Sequence, residues 1–126
     1  MKRVLERFAL GRRRGRMGED AAARYLRSEG YRVLERNWRS GRLELDLVCR
    51  HGDTLVFVEV KTRGAGSRGT PADGLDRTKM RNLVRAAHLY LAEHECWDEP
   101  CRFDLVAVLE TGDGLELDHV PDAFQA

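Results

Sequence analysis

The sequence predicts a single α/β domain: a mixed central β-sheet flanked by helices, in the order αβββαββ. Three observations predict it. The chain has 126 residues, 42% of them hydrophobic, which suits one modest core and excludes a two-lobed enzyme or a long repeat array. Hydrophobic periodicity alternates between helical and two-residue spacing along the chain. A strand hairpin feeds a long helix and then a further strand, which calls for a mixed sheet with helices packed against it.

The elements follow in order. Residues 1–16 hold seven Lys/Arg and one acid, Glu6. Gly11, Gly15 and the run Arg12, Arg13, Arg14 disfavour a helix there, so the segment reads as a mobile basic arm ahead of a domain over 17–126. As a charge run it suits a nucleic-acid contact or a solvated tail equally. From Gly18 to Ser28 the pattern is helical, with Ala22, Tyr25 and Leu26 at spacings of three and four and Gly30 as the stop. Tyr31 to Trp38 alternates partly and reads as a strand. Arg42 to Arg50 is a second strand, its Leu43, Leu45 and Leu47 alternating with Glu44 and Asp46. Gly52-Asp53 turns the chain, and Thr54 to Thr62, rich in Val and Phe, is the strongest strand signal. Gly64 to Asp73 is a loop. Leu75 to Glu93 is a long helix with an apolar stripe of Leu83, Ala86, Ala87, Tyr90 and Leu91. Arg102 to Leu109 is a strand, and Leu115 to Val120 pairs back as an edge strand after a turn at Gly112.

The net charge is +1, but it is a difference of two large terms. Residues 1–90 hold 21 Lys/Arg and 11 Asp/Glu; residues 91–126 hold one Lys/Arg and 10 Asp/Glu. The basic part keeps a polyanion partner in view. No apolar run approaches the ~18 residues of a membrane span, and the basic N-terminus lacks the apolar stretch of a secretory signal, so the expectation is a cytoplasmic protein with no membrane partner. Cys49, Cys96 and Cys101 form no CxxC and read as small hydrophobes in a reducing compartment.

The hairpin carries the chemistry. With Gly52-Asp53 as a two-residue loop, His51 faces Thr54, Asp46 faces Glu59 and Glu44 faces Lys61. Directly opposed residues share a sheet face, so one turn gathers Glu44, Asp46, Glu59 and Lys61, while Leu43, Leu45 and Leu47 join Val56, Val58 and Val60 on a core face. Clustered carboxylates repel unless a cation intervenes, and a divalent ion with one or two carboxylates and several waters is the habit of Mg²⁺. Lys61 beside such an ion can orient or help deprotonate a water, which suits phosphodiester hydrolysis. The same charges also suit a surface ion-pair ladder; Leu55 and Phe57 on the shared face argue that it is not simply solvent-facing.

Asp46 followed by Glu59-Val60-Lys61 on the next strand resembles the PD-(D/E)xK nuclease signature. The wider frame is Gly18-Glu19, Ala22, Tyr25-Leu26, Gly30-Tyr31, Asn37, Glu44-Leu45-Asp46-Leu47, Leu55 through Arg63, Pro71, Lys79, Ala87, Tyr90-Leu91 and Arg102-Phe103-Asp104. It resembles the YraN-like family of bacterial putative endonucleases from about Gly15 to Val108. The Glu59 to Arg63 segment is also similar to archaeal Holliday-junction resolvases. The resemblance implies a restriction-endonuclease-like fold and a metal-dependent nuclease acting on nucleic acid, DNA above all, including branched or structured DNA. It implies Asp46 and Glu59 as ligands of Mg²⁺ or Mn²⁺, Lys61 as the catalytic lysine, and Glu44 and Glu19 as further acids of the site. By analogy with resolvases a homodimer would suit a two-fold branched substrate. Leu43 stands where the family carries Gly. A non-catalytic nucleic-acid-binding or protein-interaction module on the same fold is the rival expectation.

Candidate nucleic-acid contacts are Arg12, Arg13, Arg14 and Arg16 of the arm, Arg63 and Arg68 of the glycine-rich loop, and Lys79 and Arg81 of the second helix. The formal GxGxxG at Gly64 to Gly69 does not open directly onto a helix, as a dinucleotide site would require. His94, Cys96 and Cys101 lack the regular spacing of a zinc site.

Overall fold

The computed structural model describes the backbone of residues 2–64 and 75–126 and, within the first helix, side chains from Gly15 onward. The elements come in the expected order: α1 (Lys2–Ser28), β1 (Arg32–Ser40), β2 (Leu43–His51), β3 (Thr54–Arg63), α2 (Arg77–Glu93), β4 (Cys101–Thr111) and β5 (Gly114–Phe124). The five strands form one sheet in the order β1-β2-β3-β4-β5. All neighbours are antiparallel except β3 and β4. That parallel pair needs a crossover, which the connection through α2 supplies.

One expectation is corrected at the start. The backbone is helical from Lys2, not from Gly18, so residues read as an arm continue α1. The Ala-rich segment anchored on the sheet supplies the costly nucleus. Propagation through Arg, Leu and Met then outweighs roughly 1 kcal/mol for each glycine at 11 and 15. At the other end Gly30 sits at φ +88°. Its N–H donates to Arg27 O and that of Tyr31 to Leu26 O, a left-handed glycine stop as the sequence predicts.

Each face of the sheet carries one helix. Ala22, Ala23 and Leu26 of α1 pack with Leu47, Cys49, Val56, Val58, Val106 and Val108. The predicted stripe of α2 is buried against Val48, Leu55, Phe57 and Phe103 on the other face. The predicted hairpin register holds, with His51 opposite Thr54 and Leu47 opposite Val58.

The predicted alternation fails at one place. Leu43 and Leu45 pack with the α2 cluster, not beside Leu47. The break falls where Asn37, at φ +53°, interrupts β1 between the pairs Arg36–Leu47 and Trp38–Leu45. A left-handed residue reverses the pleat, and Asn tolerates that conformation better than most side chains. Beyond it, the leucines change faces.

Gly18 is the closest approach of α1 to the sheet. A Cβ there would overlap the Thr62 hydroxyl and stand 3.1 Å from Thr62 Cβ. Gly18→Ala gains about 1 kcal/mol of helix propensity, yet overpacking against a stiff β-branched side chain costs about 1–3 kcal/mol. A net loss of stability is expected in urea unfolding, largely reversed by adding Thr62→Ala.

A buried polar network ties α1, the turn at Tyr31, β4 and β5 together around Asp104, which is 2% exposed. Its carboxylate accepts from Arg102 Nε (2.8 Å), Tyr31 Oη (3.2 Å) and the Asp122 N–H (3.0 Å). His119 Nε2 lies 2.8 Å away, with the other ring nitrogen 3.0 Å from Tyr25 Oη. Burial alone would push the Asp104 carboxyl up, but the bonds from Arg102, the Asp122 amide and His119 outweigh it and hold it below the ordinary value. Asp122 reaches it because its own φ of +51° bends β5 just after Pro121.

Candidate active site

A cleft of about 1110 Å³ opens beside the first turn of α2, lined by residues of α1, β1, β2, β3 and α2. It is where the hairpin splays. The β2–β3 ladder ends at Leu47–Val58. Beyond it, the Asp46 carboxylate replaces a backbone carbonyl and accepts the Val60 N–H at 2.8 Å. This bond holds Asp46 against β3 and beside Glu59. The expected direct oppositions of Asp46 with Glu59 and of Glu44 with Lys61 are not part of the ladder, because the strands splay beyond Leu47–Val58.

Asp46 and Glu59 are the acidic floor of the cleft. Glu59 is buried, with its side chain 10% exposed. Burial first, then the hydrogen-bonded contact and charge of Glu59, push the Asp46 carboxyl well above the ordinary carboxylate range; the Val60 N–H and the Lys79 charge oppose this. A buried carboxylate and a half-buried one in contact strain to hold a second negative charge. That is the condition a divalent cation relieves. No group of three or more His, Cys, Asp or Glu able to hold a metal occurs among the described residues. Two carboxylates supplemented by water fit Mg²⁺ or Mn²⁺ better than a site built wholly of side chains.

The other sequence candidates fall into three groups. Glu19, Glu44, Lys61, Arg16 and Lys79 line the same cleft. Glu19 is held by the Asn37 amide, whose nitrogen, turned toward it, donates at 2.6 Å. Burial, then the charge of Asp46, raises its carboxyl. Glu44 pairs with Arg39 at 3.6 Å, so the expected patch of three joined carboxylates is the Asp46–Glu59 pair with Glu44 drawn toward Arg39. Lys61 has no ion pair among the described residues. Arg81 is exposed on α2 and does not line the cleft; Arg63 does not line it either. The side chains of Arg12, Arg13 and Arg14, and the whole of Arg68 with most of the glycine-rich loop, lie outside the described residues. Leu43 packs beneath α2 with Leu45 and Trp38 and does not line the cleft.

The cleft also recruits residues not singled out from sequence. Arg36 pairs with Asp20 at 2.6 Å, and Asp76 caps α2 by accepting the Lys79 N–H at 2.7 Å. Asn37 links β1 to Glu19. Its part in the family frame was the signal available; its left-handed backbone was not legible. Lys79 does more than expected: its ammonium lies 3.7 Å from Glu59 Oε2, away from Arg81 on the same helix.

Among known proteins, the model for the uncharacterised protein family UPF0102 matches residues 18–108, a span holding Glu19, Asp46, Glu59, Lys61 and Lys79. A UPF0102 protein of Nitratidesulfovibrio vulgaris (strain DP4) is 51% identical over 110 residues, 87% of this chain and 82% of its own length. One from Lawsonia intracellularis is 45% identical over 111 residues, covering 88% and 84% of the two chains. One from Symbiobacterium thermophilum is 45% identical over 118 residues, 93% of this chain and all of its own.

Proposed function

The chain belongs to the uncharacterised UPF0102 family, and on that premise we propose that it is a metal-dependent nuclease of the restriction-endonuclease-like class, hydrolysing nucleic-acid phosphodiesters. One observation carries the reading: buried Glu59 and half-buried Asp46 lie side by side on the floor of an open cleft, with Lys61 two residues along the same strand as Glu59. This is costly for stability and useful for charge chemistry. Asp46 and Glu59 would hold Mg²⁺ or Mn²⁺, and when bound such an ion supplies neutralisation of the charge that grows on the phosphate oxygens.

The chain's own groups do the rest. The Val60 N–H fixes the Asp46 carboxylate, and Asn37 fixes Glu19 at the edge of the floor. Lys61, free of a carboxylate partner among the described residues, is available to orient the attacking water or take part in its deprotonation. Arg16, on the stretch of α1 that runs past the cleft, offers a phosphate contact. Such contacts carry little base information, so strand state and shape are read more than sequence.

Incubation of the purified protein with branched, single-stranded and duplex DNA is expected to give cleavage that needs Mg²⁺ or Mn²⁺ and stops with chelator. Salt-sensitive binding with no cleavage under any metal would replace this reading with a non-catalytic nucleic-acid-binding module.

A further inference from the structure

We propose that Lys79 is the resident counter-cation of the Asp46–Glu59 pair, displaced when a divalent metal ion enters, so that it sets the metal concentration at which the site fills. The inference rests on the nuclease reading and names a control on that same site. Lys79 Nζ lies 3.7 Å from Glu59 Oε2, and its charge also acts on Asp46. No other ion pair to either carboxylate occurs among the described residues. A buried carboxylate without a cation is expensive, and Lys79 offsets part of that expense while no metal is bound.

The same geometry makes the ammonium displaceable. The backbone of Lys79 is pinned by the Asp76 cap, but its side chain is 38% exposed and faces the open cleft. A flexible four-carbon stem lets the charge leave Glu59 without moving the helix. An ammonium and a divalent ion cannot both occupy the small space beside one carboxylate without strong repulsion. Metal entry therefore moves Lys79 outward over the cleft, where a phosphate oxygen is the next acceptor. Metal and nucleic acid then each favour the binding of the other, and this coupling is reciprocal.

The test is a titration of the intact protein with Mn²⁺, followed by electron paramagnetic resonance, with Asp46→Asn as the blank for ions bound elsewhere. Lys79→Met is expected to bind Mn²⁺ roughly 5–10-fold more tightly than wild type, because a competing charge is gone. Lys79→Arg keeps the charge and is expected to bind as wild type does. The cap uses the backbone of residue 79, so both variants retain it; Lys79→Gln serves in place of Lys79→Met if that variant fails to fold. Unchanged or weaker Mn²⁺ binding in the neutral variant, with wild type binding well, overturns the counter-cation role and leaves the nuclease reading standing. Absence of any Asp46-dependent Mn²⁺ binding in wild type and variant alike overturns both.

Discussion

Asp46→Asn is expected to abolish cleavage and, in metal-free protein, to raise stability. The two effects share one cause. Asp46 is held against Glu59, and in the absence of metal a second negative charge on this carboxylate pair opposes folding. Asn keeps the shape. Its carbonyl oxygen can accept the Val60 N–H as Asp46 does, and its amide can donate to Glu59 at any pH, keeping the hydrogen bond without a second ionisable carboxyl. A gain of roughly 1 kcal/mol, or about 3–6 °C in Tm for a domain of this size, is expected by calorimetry in the presence of chelator. Cleavage should fall by at least about 10³-fold, the scale of losing preorganised charge stabilisation at a reacting centre. Glu59→Gln should also lose cleavage. Lys61→Ala should lose cleavage while retaining Mn²⁺, since Lys61 handles water in this reading and the metal is held elsewhere. An Asp46→Asn protein that cleaves normally sinks the proposed site. One that is less stable than wild type shows that the pair is not strained.

The second large effect lies away from the cleft. Asp104→Ala is expected to cost about 3–5 kcal/mol, because half-buried Arg102 and His119 lose the buried acceptor on which they converge. Out of a total near 5–15 kcal/mol, such a loss brings the protein close to unfolding. Urea denaturation measures it; a cost under about 1 kcal/mol would mean that the network is replaceable. The pH dependence has a definite sign. The carboxyl is held below its unfolded value, so the folded state binds fewer protons than the unfolded chain as acid is added. The stability Asp104 contributes is complete above about pH 4 and lost as pH falls through the lowered value. Asp104→Asn, which keeps the shape and removes the charge, should flatten that acid limb. Tyr31 remains a donor throughout, since burial and then Asp104 push its phenol up to about 12.

The network and the cleft use α1 at opposite ends of its sheet contact. Gly18 seats the helix on Thr62 near Glu19, and Tyr25 meets His119 two turns later. A change at either point would reach the cleft through the angle of the helix, so losses of activity at Gly18 or Tyr25 are to be read against stability measured on the same variants.

Periodicity and turn chemistry determined a great deal by themselves. The order of elements, the left-handed stop at Gly30, the buried stripe of α2 and the hairpin register around Gly52-Asp53 are all local. Each depends on residues a few positions apart, and each recurs in the structure. The ladder stops one pair short of Asp46 and Glu59, and the Asp46 bond to the Val60 N–H, not the register, holds the two acids side by side. Three further things did not follow, because each depends on contacts distant in the chain. The pleat reverses at Asn37, so Leu45 and Leu47 part company, and no two-residue alternation shows this. The α1 backbone extends through two glycines because an anchored helix propagates where an isolated one would not begin. Lys79 meets Glu59 only once the crossover through α2 has laid its first turn over the end of β3. The rotation of that helix was then decided by burial of Leu83, Ala86 and Tyr90 on the sheet, not by anything near the lysine itself.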